Sequence, residues 1–314
     1  MAQPPDTRSA DTRSAHTRSA DARSADSGVI HDIGYRGYSG PRLGRGYATR
    51  SLFTQSLRAA YGLGRSGKSK VLPMLVLAVV TVPAAIVVAV AVTMKRDQLP
   101  VEYAGYLASV NLVVAVFLAS QAPMLLSRDL RYQTVPLYFS RPITRTDYVR
   151  AKFAAMVCAQ LLLMAAPLLV LYLGALLGGM DFSYNTGHFL YGLVAAVLYA
   201  LVPTSVALVI AATTPRRGFG VAAIMGYLAI SAAVAAVAVG ISDPGTTGSD
   251  TAQWTSLISP TELVESLVNE VFDLGAGLDR RYAPGGFGIA VFALVALALV
   301  VGSYRLLLSR YKKV

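Results

Sequence analysis

Six stretches of this chain, 71–94, 103–127, 153–180, 182–215, 218–242 and 282–304, contain no Asp, Glu, Lys or Arg, although its 314 residues carry 28 basic and 17 acidic side chains. Each stretch is 23 to 34 residues long, and about 20 mainly apolar residues in a helix cross a hydrocarbon core of about 30 Å. Excluding charge over that length is a demand of the bilayer, where a charged side chain at mid-depth costs about 2.5–3.5 kcal/mol on the most lenient scale. A water-soluble core makes no such demand. Because a spanning helix satisfies its own backbone hydrogen bonds, the expected fold is an all-α polytopic membrane protein with six transmembrane helices.

The placement of the remaining charge predicts the orientation. With both termini cytoplasmic, the inner segments hold 24 of the 28 basic residues, leaving only Lys95, Arg96, Arg280 and Arg281 outside with ten of the 17 acids. That distribution obeys the positive-inside rule. It also accounts for the formal net charge of +11 through anionic lipid headgroups, so membrane lipid is an expected partner. No zinc-finger spacing or aromatic-basic motif points to nucleic acid. The single cysteine, Cys158, lies inside the third stretch and rules out an intrachain disulfide.

Three further segments have their own character. Residues 6–25 are four pentapeptides, DTRSA, DTRSA, HTRSA and DARSA, with nothing apolar to bury, and the composition predicts a disordered cytoplasmic tail over 1–48. Leu52, Phe53, Leu57, Ala60, Tyr61 and Leu63 then recur at helical spacing between arginines, which predicts an interfacial elbow helix within 49–70, ahead of a transmembrane domain over 71–314. In the outer segment 243–285, Ser259, Pro260 and Glu262 read as a helix entry. Leu263, Val264, Leu267, Val268, Val271, Phe272 and Leu274 supply an apolar stripe, with Glu262, Glu265, Asn269 and Asp273 opposite. This predicts an amphipathic helix on the outer face before the last span, lying against the outer ends of the spans or dipping into the interface.

Gly62–Ser69, GLGRSGKS, matches the phosphate-binding loop GxxxxGKS formally. The context refuses it: that loop needs a strand before it and a soluble βαβ unit around it, whereas here a basic amphipathic segment precedes it and a membrane span begins two residues later. Three scattered histidines make no metal set, so no catalytic site and no resident cofactor are expected. No ionisable Asp, Glu, Lys or Arg stands inside a span to bind a coupling ion. Energy supplied by a cytoplasmic partner is therefore the simpler expectation. Polar residues within the spans, Asn111, Gln121, Gln160, Thr204 and Ser205, are candidates for lining a substrate path, or for interhelical hydrogen bonds. Gly174 and Gly178 form a GxxxG, and Pro83, Pro123, Pro167 and Pro203 mark candidate kinks.

The inner loop 128–152 reads RDLRYQTVPLYFSRPITRTDYVRAK. Tyr132, Val135, Pro136, Leu137, Tyr138 and Phe139 form an apolar and aromatic patch bracketed by Arg128, Arg131, Arg141 and Arg145, the composition of a docking surface. The acid at Asp129, the TVPLYFSRP core, the ITR at 143–145 and the Asp-Tyr before Lys152 resemble the loop after the second span of type-2 ABC exporter permeases. The six-span order and the long outer segment before the last span are similar to that family as well.

The resemblance implies a permease subunit of an ATP-driven exporter in the bacterial plasma membrane, paired with a second permease copy or homologue. ATP and Mg would be held by a separate nucleotide-binding ATPase subunit. It further implies that Asp129, Tyr132, Pro136, Leu137, Tyr138, Arg141, Pro142 and Arg145 belong to a coupling helix received by that subunit. The alternatives from other classes are a membrane scaffold without transport and a lipid-acting membrane enzyme.

Overall fold

A computed structural model describes residues 40, 43–64, 67–132, 135–140, 143–214, 216–242, 250–272 and 283–312. The pentapeptide repeat, Gln133, Arg141, Pro142, Asp273 and Leu274 lie outside the described residues. Every element longer than a turn among them is helical.

Helix α1 (Arg45–Ala60) begins four residues before the predicted 49–70 segment, from an extended Gly44. The extra turn is held from outside the helix by Arg45, which pairs with Asp147. Leu52, Ser56 and Ala60 are buried, and Tyr61 donates a 2.7 Å hydrogen bond to the Ala159 carbonyl, so α1 packs along the third span. The chain then turns through Gly62, at φ +68°, where any Cβ would sit 2.4 Å from the Ser69 carbonyl oxygen. Pro73 has no N–H to offer that carbonyl. The glycines of GLGRSGKS thus serve a tight turn between two helices, and no strand delivers them.

Among the described residues, five helices are long and apolar enough to cross a membrane: α2 (Gly67–Thr93), α7 (Arg145–Leu177), α8 (Phe182–Thr213), α9 (Arg217–Ser242) and α12 (Gly285–Lys312). The expected second span is different. It is two helices, α3 (Tyr103–Ser109) and α4 (Asn111–Leu125), bent by 61° at Val110, and brings the total to six when the pair is taken as one. The bend falls at none of the prolines; helix continues through Pro83, Pro123, Pro167 and Pro203. Short α3 is fixed by its tyrosines instead. Tyr106 donates to the Val80 carbonyl at 2.6 Å and Tyr103 to Asn185 Oδ1 at 2.9 Å, while Gly192 lets the Tyr103 backbone approach, its missing Cβ falling 2.8 Å from that of Tyr103.

The GxxxG is a helix crossing. A Cβ at Gly174 would lie 2.4 Å from Val88 Cγ1 and one at Gly178 2.7 Å from Val92 Cγ2, so α2 and α7 meet with almost no side chain between them. Helices α2, α9 and α12 keep most of their surface outward, with rows such as Val71, Leu75, Val79, Val82 and Ile86 exposed on α2; α7 and α8 form the middle of the bundle.

Between α9 and α12 come α10 (Asp250–Trp254), a 3₁₀ turn (Thr255–Ile258) and α11 (Pro260–Phe272). Leu263, Val264, Leu267 and Val268 are buried, as the stripe predicts, but Val271 is 49% exposed and Asn269, expected on the polar side, is 6% exposed. The reason is position. Phe272 stacks on Tyr191 of α8 at 4.7 Å, so α11 packs against that helix and is covered on more than one face.

Candidate functional site

Between α4 and α7 stand two short helices, α5 (Ser127–Arg131) and α6 (Val135–Phe139), and α7 is entered from an extended Thr144 at its N-cap. The entry to α7 is built from a T-x-x-D pattern. Thr144 accepts from the Asp147 N–H at 3.3 Å and Asp147 accepts from the Thr144 N–H at 3.2 Å, a reciprocal capping box. Arg45 of α1 clamps the same carboxylate with two nitrogens, the Nη2 to Oδ1 arm being 3.0 Å, and reaches Thr144 Oγ1 at 2.9 Å. The Arg45 guanidinium and the Thr144 donors hold the Asp147 carboxyl well below the ordinary carboxylate range.

One turn further into α7 the loop is locked from inside. Asp129 of α5 pairs with Lys152 at 2.9 Å, the two side chains being 15% and 8% exposed, and accepts a 2.7 Å hydrogen bond from the Tyr148 hydroxyl. Tyr148 is fully buried and collects three rings: Tyr138 at 5.6 Å, Phe139 at 6.2 Å and Tyr311 near the end of α12 at 5.2 Å. Lys152 lies 5.5 Å from the centre of the same ring. Burial pushes the Tyr148 phenol well up, so it remains a hydrogen-bond donor to the carboxylate at all working pH values.

The patch expected on this loop therefore divides. Tyr132 and Leu137 are 63% and 68% exposed, whereas Tyr138 and Phe139 are half-buried against Tyr148 and Asp129 is turned inward to Lys152. Arg145 is exposed with its guanidinium 5.6 Å over the Phe139 ring, and Arg131 lies 5.8 Å over Tyr132. Pro136 belongs to α6, its side chain being outside the described residues, as are Arg141 and Pro142. The sequence reading noted Thr144, Asp147, Tyr148 and Lys152 as part of the loop's pattern but did not see that they form an inner anchor, and it passed over Tyr311. The capping box was visible as T-x-x-D; the meeting of Asp129 with Lys152, 23 positions apart, carried no local signal.

The five polar span residues do not converge. Gln160 is 1% exposed and donates to the Val114 carbonyl at 3.4 Å; Gln121 is 4% exposed and donates to Ser120 Oγ at 3.1 Å. Ser205 donates to the Val202 carbonyl at 2.7 Å, and buried Thr204 Oγ1 has no partner. Only Asn111, the first residue after the bend, is half-buried. Among the described residues no three His, Cys, Asp or Glu side chains gather as for a metal.

Comparison with known proteins adds the family. The chain matches the family described as ABC-2 family transporter protein over residues 67–230, just over half its length; that range runs from the start of α2 into α9 and includes the whole loop. No curated protein matches it. The loop's resemblance, the bundle of apolar helices and this match converge: the chain belongs to the ABC-2 transporter family and is a multi-pass membrane permease of the kind that works with an ATPase subunit.

Proposed function

We propose that this permease is the membrane subunit of an ATP-driven exporter, with both termini in the cytoplasm of a bacterial cell and α6 received in a cleft of a separate ATPase subunit. The observation that carries the reading is the two-faced loop: Leu137 and Tyr132 outward, Tyr138 and Phe139 seated on Tyr148 at the root of α7. A side chain pushed on the outer face transmits force through packed rings to a spanning helix, because close-packed groups do not absorb displacement. The basic loop ends and the acid-rich opposite ends support the orientation.

ATP and Mg belong to the partner, and the permease itself performs no catalysis. Two permease copies frame the substrate path, with the half-buried Asn111 beside it; Gln121, Gln160, Thr204 and Ser205 are buried within one chain, and Gln160 ties α7 to α4 through the Val114 carbonyl. A α1 lying in the inner interface and α11 on the outer side complete the architecture. The test is reconstitution with candidate nucleotide-binding subunits from the same organism. Leu137→Asp should abolish co-purification of the ATPase and its stimulation by the permease while the permease stays monodisperse. Tyr138→Ala should keep binding but lower transport per ATP. Full stimulation with Leu137→Asp would remove the docking role and leave a scaffold as the better reading.

A further inference from the structure

Two open grooves meet at Arg150 on the basic side of the bundle. One, about 750 Å³, lies between α1 and α7 and includes Arg45, Arg50, Phe53, Asp147, Arg150 and Ala154. The other, about 680 Å³, shares Arg150 and Ala154 and runs on to Phe153 and Tyr304 of α12. Their charge does not cancel. Arg45 and Asp147 are consumed by each other, whereas the exposed guanidiniums of Arg50 and Arg150 form no ion pair among the described residues. The grooves also change character along the helix axis: Arg150 precedes the charge-free stretch by three residues, and Ala154, exposed, is the second residue inside it.

A ligand that matches this slot has a negative head at the level of two planar guanidiniums, which favour phosphate oxygens, and an apolar tail that follows Ala154 and Phe153 into the span. We infer that the α1–α7 groove is a binding site for an anionic phospholipid whose phosphate bridges Arg50 of one helix and Arg150 of the other. A free phosphate satisfies only the upper half of the groove. Bridging supplies a second clamp between α1 and α7 beside the Arg45–Asp147 pair, so the bound lipid stabilises the fold. The inference rests on the reading above that this end of the spans lies at the inner membrane surface. It requires no ATPase.

The experiment uses the full chain, delipidated in mild detergent and titrated with phosphatidylglycerol or phosphatidylcholine, with bound lipid read by native mass spectrometry and stability by thermal unfolding. Phosphatidylglycerol should be retained about tenfold over phosphatidylcholine and should raise the unfolding midpoint further, as expected of two basic groups at a headgroup. Arg50→Gln with Arg150→Gln should remove both preferences; Lys95→Gln with Arg96→Gln, at the opposite end, should keep them. Ala154→Trp, which fills the apolar floor with the arginines intact, should weaken binding of both lipids, and it decides the matter if the double glutamine variant does not fold. An undiminished preference in a folded Arg50/Arg150 variant overturns the site, and so does equal stabilisation by inorganic phosphate. Lipid preference without any ATPase binding would leave this inference standing and remove the coupling reading; ATPase stimulation without lipid preference would do the reverse.

Discussion

At the scale of single residues, two carboxylates organise the loop, and each makes a separable prediction. Asp147 is held below its ordinary pKa of 3.8 by Arg45 and the Thr144 cap. A group whose folded pKa is depressed contributes stability that is present above its unfolded pKa and lost as pH falls through the folded one. The unfolding midpoint of the wild type should therefore exceed that of Asp147→Asn at pH 7, and the gap should narrow only below about pH 4. Thr144→Ala, losing the cap and the hydroxyl that Arg45 Nη2 reaches, should cost about 1–2 kcal/mol. Asp129 behaves differently, since its partner Lys152 is buried. Lys152→Met strands that carboxylate and should cost about 3 kcal/mol, whereas Lys152→Met with Asp129→Leu should recover much of the loss; additive losses in denaturant unfolding would contradict the pairing. The Thr144–Asp147 cap is local and could be found as T-x-x-D, whereas the Asp129–Lys152–Tyr148 cluster could not, because nothing in a five-residue helix such as α5 establishes which face turns inward.

Among elements, the spans were readable for a strict reason: the bilayer forbids charge over a fixed length, and the chain obeys it six times. The bend at Val110 was not readable. Ser109-Val110-Asn111 contains neither proline nor glycine, and the break comes from tertiary anchors, Tyr103 on Asn185 and Tyr106 on Val80. The burial of Asn269 on α11 was not readable for the same kind of reason, since an amphipathic pattern identifies a buried face without saying what covers the other. The GxxxG was legible as a crossing. Gly174→Val places methyl groups where Val88 already stands and should destabilise by about 1–3 kcal/mol, and Val88→Ala in the same chain should restore part of it; an unaffected single variant in thermal unfolding would show that α2 and α7 separate freely.

For the whole molecule, orientation is the property from which the others take their direction. The chain has one cysteine, so a Cys158→Ser background is silent to thiol reagents. In intact cells an impermeant maleimide should label Lys95→Cys and leave Lys312→Cys unlabelled until the membrane is opened; the reverse pattern would invert the topology and put α6 out of reach of any cytoplasmic ATPase. The meeting of Tyr148 with Tyr311 carries a consequence for biogenesis. The ring that seats Tyr138 and Phe139 is itself covered by a residue synthesised 163 positions later. The seat of α6 in a nascent chain is therefore incomplete until the last turn of α12 has been made, so this loop reaches its final packing only after the whole bundle has been synthesised.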